Sequence, residues 1–191
     1  MAPTSNKRNI TLAVTGASGA IYASRLLRKL KSMGNQIECL SLIFSENAKQ
    51  IWKEELGKPL PAEQEMRIYE NDDFYAPVAS GSCGTDAMII VPASMGIIGR
   101  IANGTSNDLI SRAADVMLKE RRKLIVVPRE TPYNLIHIRN METITLAGGI
   151  IVPATPSFYQ KPKNINDLVD TVVDRIIDLI GLDQKTYRWG E

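Results

Sequence analysis

An arginine and a glutamate, Arg129-Glu130, stand one residue past the apolar run Leu124 to Val127. If that run forms a buried strand, both charges lie where the ligands of parallel sheets bind, beyond the carboxyl ends of the strands. A guanidinium there can bind an anion, and the carboxylate beside it can move protons. The alternative is an ion pair that only closes a loop, because charges at strand ends are usually solvated.

A glycine-containing turn, Thr15 to Ala20 with the sequence TGASGA, offers a second place for an anion. It follows an apolar run from Ile10 and precedes apolar residues at helical spacing, which predicts a strand, a tight loop and a helix N-terminus. Gly16 and Gly19 would let a phosphate approach the backbone at the start of that helix. The spacing is neither the dinucleotide fingerprint nor that of a nucleoside-triphosphate loop, so a merely tight turn is the alternative.

Three further polar side chains could join these groups. Lys119 opens a basic run at the end of a predicted helix, where cations also simply complement the helix dipole. Arg175 has apolar neighbours at helical spacing, so it borders an apolar face and is either at its rim or held by an anion. Tyr159 follows the last Val-Pro pair, where it can donate a phenolic hydrogen bond or plug the edge of the sheet.

The elements that must position these side chains are strands and helices in alternation. Three predicted strands, Met88 to Pro92, Leu124 to Pro128 and Ile150 to Pro153, each end in Val-Pro. Proline cannot continue a central ladder, so all three should stop there and release polar loops along one edge of the sheet. The remaining predicted elements are strands from Ile10 to Val14 and Ile37 to Phe44, and helices from Ile21 to Gly34, Glu46 to Leu56, Ser106 to Arg121, Leu135 to Leu146 and Ile165 to Ile180.

This order predicts an α/β fold, a Rossmann-like doubly wound parallel sheet that forms a single domain over residues 1–191. Residues 1–9 are polar and are expected to be a flexible lead-in. The stretch from Gly57 to Gly84 has no clear period. It is either a long functional loop with a short strand in it or an arm used in association.

Composition narrows the classes of function. A formal net charge of +2 over 191 residues gives no general reason to expect nucleic acid as a partner. No apolar run approaches the roughly 20 residues needed to cross a bilayer, and no signal peptide is evident. Cys39 and Cys83 make no disulfide framework or metal cluster, which favours a reducing cytoplasm. Asp72-Asp73 lacks the next acid of a magnesium-diphosphate motif, and His137 has no metal-ligand spacing, so no metal site is expected.

Ordered blocks throughout the chain resemble the flavin prenyltransferase family. The blocks are TGASGA at Thr15 to Ala20, ASGS at Ala79 to Ser82, PASM at Pro92 to Met95, SRAADVMLKERR at Ser111 to Arg122, VPRETP at Val127 to Pro132, PSFY at Pro156 to Tyr159, and RWGE at the C-terminus. The resemblance implies a homododecamer of Rossmann-like subunits that attaches the dimethylallyl group of dimethylallyl monophosphate to N5 and C6 of reduced FMN. The product, prenylated FMN, would serve a separate UbiD-type decarboxylase.

Residue by residue, the resemblance implies FMN contacts at Gly16, Ala17, Ser18, Ser45, Ser94, Met95, Gly96, Ile97 and Arg129. It implies contacts with the prenyl phosphate at Lys119, Glu130, Tyr159 and Arg175, with Glu55 and Trp189 as neighbours supplied across subunit contacts. The cationic and phenolic groups, Lys119 among them, would stabilise the departing phosphate. Phe74 or Trp189 could offer a π-face to the allylic cation. Glu130 and Ser18 are expected to move protons.

One departure from the family concerns the cofactor loop. Many members read Ser-Met-Lys-Thr where this chain reads Ser94-Met95-Gly96-Ile97. A lysine and a hydroxyl are therefore lost from the loop. We expect the flavin contacts at Gly96 and Ile97 to come from backbone groups or to be missing.

Two other functions stay open. A flavin-dependent decarboxylase of the cysteine-peptide type would need a catalytic histidine early in the chain, whereas the only histidine is His137. A non-catalytic FMN-carrying subunit of an aromatic-acid decarboxylase would bind flavin without transferring a prenyl group. Incubation with reduced FMN and dimethylallyl monophosphate separates that subunit from a prenyltransferase.

Overall fold

The computed structural model describes residues 7–62, 66–186, 188 and 190, and in this part of the chain one sheet is formed. Its strands are β1 Arg8–Val14, β2 Ile37–Phe44, β3 Arg67–Glu70, β4 Ala87–Ala93, β5 Lys123–Pro128 and β6 Ile150–Ile151. They lie in the order β3-β2-β1-β4-β5-β6, and all neighbouring pairs are parallel. The order reverses between β1 and β4, which confirms the predicted Rossmann-like, doubly wound α/β fold.

Helices cover both faces of the sheet. They are α1 Ala20–Ser32, α2 Glu46–Leu56, α3 Met95–Ala102, α4 Leu109–Lys119, α5 Leu135–Leu146 and α6 Ile165–Ile180. One apolar core contains buried side chains of α1, α2 and α6, and the other contains those of α3, α4 and α5. The predicted bounds of α2, α5 and α6 are confirmed at both ends. No helix in the described part of the chain is long and apolar enough to cross a bilayer.

The central strand β4 is buried over its whole length. Its residues Ile89 and Val91 belong to the core on the α1 side, whereas Met88 and Ile90 belong to the core on the opposite face. Alternate side chains of a strand point to opposite faces, so a strand covered by helices on both sides reads as an unbroken apolar run. This burial fixes β4, and with it the carboxyl end of β4, in the middle of the sheet.

A buried threonine joins the carboxyl ends of β1 and β4, where the strand order reverses. The Thr15 hydroxyl donates to the carbonyl oxygen of Pro92 at 2.8 Å and accepts from the Ser94 N–H at 2.8 Å. Both bonds are shielded from water, because Thr15 is only 3% exposed. Thr15, which the sequence did not single out, therefore sets the spacing of the two strand ends that flank the crevice.

The prediction that the Val-Pro strands end at their prolines is wrong for β6, which already ends at Ile151, and for β4. This strand runs on to Ala93, which pairs with Pro128 after a register shift that begins at Ile90. Because the shift moves Pro92 out of the regular ladder, its missing N–H interrupts no bond there. At the other end of the chain, β1 already begins at Arg8, so the expected lead-in over residues 1–9 is too long.

Helix α3 was not predicted, because the segment after β4 was expected to be a polar loop. Ser94 caps this helix by accepting from the Ile97 N–H at 3.4 Å. Gly96 and Gly99 hide its periodicity, although Ile97 and Ile101 are buried at helical spacing. The next helix, α4, begins only at Leu109 and ends at Lys119, inside the predicted range of 106–121. The stretch 57–84 contains the short strand β3, so the expected strand is present, while a role in function or in association stays a prediction.

Candidate active site

A cleft of about 380 Å³ opens at the carboxyl edge of the sheet, where the order of β1 and β4 reverses. Its lining includes Gly16 from the turn after β1, Ser45 and Asn47 from the segment after β2, and Ser94 and Gly96 from the segment after β4. Four residues predicted to contact a flavin, Gly16, Ser45, Ser94 and Gly96, are therefore brought together. A crevice at this position is where doubly wound sheets bind their ligands.

Two helices begin at this cleft with serine caps. Ser45 accepts from the Ala48 N–H at 3.2 Å and so caps the start of α2. Ser94 has the same role at the start of α3. The positive ends of both helix dipoles therefore lie at the cleft, an arrangement that favours an anion such as phosphate.

The turn after β1 packs tightly against the first turn of α2. A Cβ atom added to Gly16 would lie 2.6 Å from Cβ of Asn47, closer than any real contact of this kind. Glycine at position 16 therefore permits the close approach of the turn to the wall of the cleft. A larger residue would push the turn away from α2 and change the width of the cleft.

A carboxylate occupies the N-terminus of α1. Glu55, near the end of α2, accepts from the N–H groups of Gly19 at 2.9 Å and Ala20 at 2.8 Å. Burial raises the pKa of Glu55, but hydrogen bonds from Ser18, Gly19 and Ala20 and the charge of Arg129 outweigh it and lower this pKa below its ordinary value. Within its own chain Glu55 thus contacts the turn after β1, and its expected contribution across a subunit contact stays a prediction. The start of α1, expected to receive a phosphate, already holds an anion from its own chain.

Arg129 extends from the end of β5 to the turn after β1. Its Nε donates to the carbonyl oxygen of Ser18 at 2.9 Å, and its backbone N–H donates to Ala93 at 3.3 Å. The guanidinium also lies near Tyr22, whose pKa is raised by burial and partly lowered again by the charge of Arg129. Arg129, Ser18 and Glu55 thus form a second polar centre beside the cleft, and Tyr22 is a neighbour that the sequence did not indicate.

Glu130 is exposed next to this centre. Its Oε1 accepts from the Thr131 N–H at 2.9 Å, while the Arg129 side chain turns to Ser18. The two neighbouring charges therefore do not close the loop by pairing with each other. A carboxylate in such a position is accessible to substrate and can exchange protons with it.

Lys119 and Arg175 lie away from the cleft of their own chain. Lys119 ends α4 and forms an ion pair with Glu120, and it is separated from Arg129 by β5, a distance of roughly 20 Å. Arg175 lies in the second half of α6, roughly 15 Å along the helix from its start at the carboxyl edge. It is exposed, which agrees with the alternative that places Arg175 at the rim of the apolar face of α6.

The remaining predicted residues are distributed around this edge. Tyr159 is 70% exposed in the loop before α6, and Phe74 is 46% exposed between β3 and β4. Met95 begins α3, so the expected cofactor loop at Met95 to Ile97 is in fact the first turn of a helix. The Ile97 side chain is fully buried and packs in the core. Ala17 lies in the turn next to Ser18. Trp189 lies outside the described residues.

Acidic, cysteine and histidine side chains are dispersed. Within the described residues, no group of three or more such side chains is arranged to hold a metal ion. His137 lies in the first turn of α5 and completes a capping box with Asn134, which accepts from its N–H at 2.8 Å. His137 therefore stabilises the start of its own helix.

Comparisons with known proteins extend over nearly the whole chain. The sequence model of the Flavoprotein family matches residues 2–177. The flavin prenyltransferase UbiX of Methanocaldococcus jannaschii is 48% identical over 184 residues, which cover 95% of this chain and 98% of that protein. This level of identity over both full lengths indicates the same architecture.

Two solved structures are similar in sequence and in fold. The crystal structure of AnUbiX (PadA1) in complex with FMN and dimethylallyl pyrophosphate is 41% identical, has a TM-score of 0.88, and is matched over 96% of this chain and 99% of that chain. The dodecameric FMN-dependent Ubix-like decarboxylase from Escherichia coli O157:H7 is 36% identical, has a TM-score of 0.89, and is matched over 94% of this chain and 98% of that chain.

Proposed function

The chain belongs to the Flavoprotein family and, within it, to the flavin prenyltransferases, and on this premise we propose that it prenylates FMN. The reaction transfers the dimethylallyl group of dimethylallyl monophosphate to N5 and C6 of reduced FMN. The product, prenylated FMN, is the cofactor of a UbiD-type decarboxylase. The similar structure of AnUbiX contains FMN and dimethylallyl pyrophosphate. It supports FMN as the acceptor and dimethylallyl as the transferred group.

One observation carries this proposal: two polar centres lie at the same edge of the sheet, on either side of the turn after β1. The first is the cleft at the starts of α2 and α3. The second is formed by Arg129, Ser18 and Glu55. The proposed reaction combines two phosphate esters, FMN and the prenyl donor, and therefore needs two places at one edge where phosphate can be held.

The residues of the cleft fit FMN, because helix N-termini and serine caps bind a phosphate and the glycine turn admits a flat ring. Bound reduced FMN supplies the nucleophilic atoms of the reaction. Arg129 faces the second centre, where it would stabilise the charge that develops on the departing phosphate. Tyr159 would add a phenolic hydrogen bond to the same phosphate, and Phe74 or Trp189 would cover the allylic cation.

Proton transfer at the second centre would use Glu130 and Ser18. Glu130 is exposed, and within the described residues its carboxylate accepts a hydrogen bond from a backbone N–H alone, so it is accessible to a bound substrate. The Ser18 hydroxyl hydrogen-bonds to Glu55, whose lowered pKa keeps it ionised at neutral pH. An ionised acceptor beside a hydroxyl allows Ser18 to hold or pass a proton at its oxygen.

Other copies of the chain would complete the site. The related decarboxylase from Escherichia coli is dodecameric, and we propose the same homododecamer here. Helix α5 supports association, because Leu135, Ile136 and Leu146 are 59%, 68% and 82% exposed. In such an assembly, Lys119 and Arg175 would reach the prenyl phosphate of a neighbouring copy.

We also propose one domain over residues 1–191 and a cytoplasmic location, which the free thiols of Cys39 and Cys83 support.

The experiment that tests the proposal is anaerobic incubation of the purified protein with reduced FMN and dimethylallyl monophosphate, followed by mass spectrometry of the flavin. Prenylated FMN is the expected product. A non-catalytic FMN-carrying subunit, the second candidate, would return unmodified FMN.

A further inference from the structure

We propose that Arg100, a residue that no sequence motif indicates, binds the phosphate group of FMN in the cleft at the starts of α2 and α3. This inference rests on the proposed function, since it assigns one part of FMN to one residue. Arg100 lines the cleft together with Ser45 and Ser94. It would give the phosphate a cationic partner that the remaining polar lining does not supply.

Arg100 reaches the cleft by folding back along α3. It follows Gly96 by one helical turn, and helical side chains tilt toward the N-terminus of their helix. A Cβ atom added to Gly96 would lie 3.9 Å from Nη1 of Arg100. Because Gly96 has no side chain, the guanidinium can lie beside the first turn of α3, where the backbone N–H groups also favour an anion.

An ion pair holds the guanidinium in this position. Nη2 of Arg100 donates to Oδ2 of Asp108 at 3.0 Å, while Oδ1 of Asp108 accepts from the Ser111 N–H at 2.7 Å and caps α4. Asp108 is thus fixed by its own helix. Nε of Arg100 is buried and has no hydrogen-bond partner among the described residues, so the guanidinium still has donors to offer.

The competing position for the phosphate is already taken. The backbone N–H groups at the N-terminus of α1 already donate to the Glu55 carboxylate, so they are not available to the phosphate of FMN. Arg129 donates its Nε to Ser18 and lies at the second centre. Glu46 also lines the cleft, but its carboxylate pairs with Lys49 at 2.8 Å. The cleft beside Arg100 is therefore the place at this edge where positive charge and helix N-termini meet.

The test compares two flavins that differ only in the phosphate. Dissociation constants of FMN and riboflavin are measured by flavin fluorescence for the wild-type protein and for Arg100→Met and Arg100→Lys. Arg100→Met should weaken FMN binding by about 10- to 100-fold, as for a lost hydrogen bond to a charged group, and riboflavin binding by less than about twofold. Arg100→Lys keeps the charge but lacks the planar donors, so its FMN affinity should lie between that of the wild type and that of Arg100→Met.

Arg25→Met is the matched control, because Arg25 also pairs with an aspartate, Asp170 on α6, but lies away from the cleft. It should leave the ratio of FMN to riboflavin affinity unchanged, and thermal unfolding of both variants identifies any general loss of folding. Two outcomes would contradict the role of Arg100 while the wild type still binds FMN: Arg100→Met keeps the wild-type ratio of FMN to riboflavin affinity, or it is folded and loses affinity for both flavins equally. The proposed function would stand in both cases. A wild type that binds neither flavin contradicts both proposals.

Discussion

The carboxylate of Glu55 accepts a hydrogen bond from the N–H of Gly19 at 2.9 Å and thereby caps α1 from a different helix. Gly19 has φ of 110°, a left-handed conformation that suits glycine, and it provides no side chain to cap the helix. The cap that Ser or Asp usually supplies locally thus comes from α2. This contact joins the two helices and occupies the backbone N–H groups at the start of α1.

Glu55 should make stability depend on pH. Its pKa in the folded protein is below the ordinary value of 4.5, so its stabilising contribution is complete above about pH 4.5 and is lost as the pH falls through the folded pKa. Glu55→Gln should lower the free energy of unfolding by about 1 kcal/mol at pH 7, and by progressively less in acid. Denaturant unfolding between pH 3 and 7 measures this difference. Glu54→Gln on the same helix is the control, and equal effects of both variants at pH 7 would contradict the capping role.

Thr15→Val should loosen the junction of β1 and β4. Valine has a similar shape but removes the hydroxyl that donates to the carbonyl of Pro92, and it leaves the N–H of Ser94 without its buried partner, at a cost of about 1–3 kcal/mol. Thr11→Val, at another buried threonine nearer the middle of β1, is the matched control. Denaturant unfolding measures stability, and FMN binding should weaken in Thr15→Val alone. Equal losses in the two variants would show that Thr15 has no special role at the crevice.

The positions of strands and most helices could be predicted because their signals are local. β2, α2, α5 and α6 match the expected ranges, since β-branched runs, serine or asparagine caps and terminal glycines mark them in the sequence. Helix α3 has the Ser94 cap and a glycine, Gly104, after its end, but Gly96 and Gly99 lie in its interior. Its glycines favour a loop locally, and burial of Ile97 and Ile101 in the finished fold makes it helical.

The site was predictable only where it depends on topology. Parallel strands bring Gly16, Ser94 and Arg129 to one edge, and their positions after strands were visible in the sequence. The contact of Glu55 with Gly19 depends on how α2 packs against the turn, which no local pattern encodes. The lysine missing at Gly96 suggested a lost cation, whereas the fold brings Arg100 beside this position from one turn later.

Mixed assemblies should show that copies share their sites. Arg175→Ala should abolish prenyl transfer with FMN binding largely kept, because Arg175 lies far from the cleft of its own chain. Glu130→Gln should slow turnover by about 10²- to 10⁴-fold with substrates still bound. Co-expression of the two variants should restore up to about a quarter of the wild-type rate, since random mixing creates some intact sites. Co-assembled variants that remain inactive would contradict the sharing of sites.

Prenyl transfer should need no divalent metal. A monophosphate carries less charge than a diphosphate, so Arg129 with Lys119 and Arg175 from neighbouring copies could stabilise its departure. Protein treated with EDTA should therefore retain its rate, and added magnesium should change it by less than about twofold. Activity that disappears after EDTA treatment and returns with magnesium would show that the phosphate site has been assigned to the wrong residues.

The central claim is that this chain makes prenylated FMN, and mass spectrometry of the flavin after an anaerobic reaction with dimethylallyl monophosphate tests it most directly. The wild-type protein should convert reduced FMN into a species heavier by one dimethylallyl group. Glu130→Gln should form this species slowly or not at all, whereas the control Glu54→Gln should form it at the wild-type rate. FMN that binds to the wild-type protein but leaves the reaction with unchanged mass would contradict the claim.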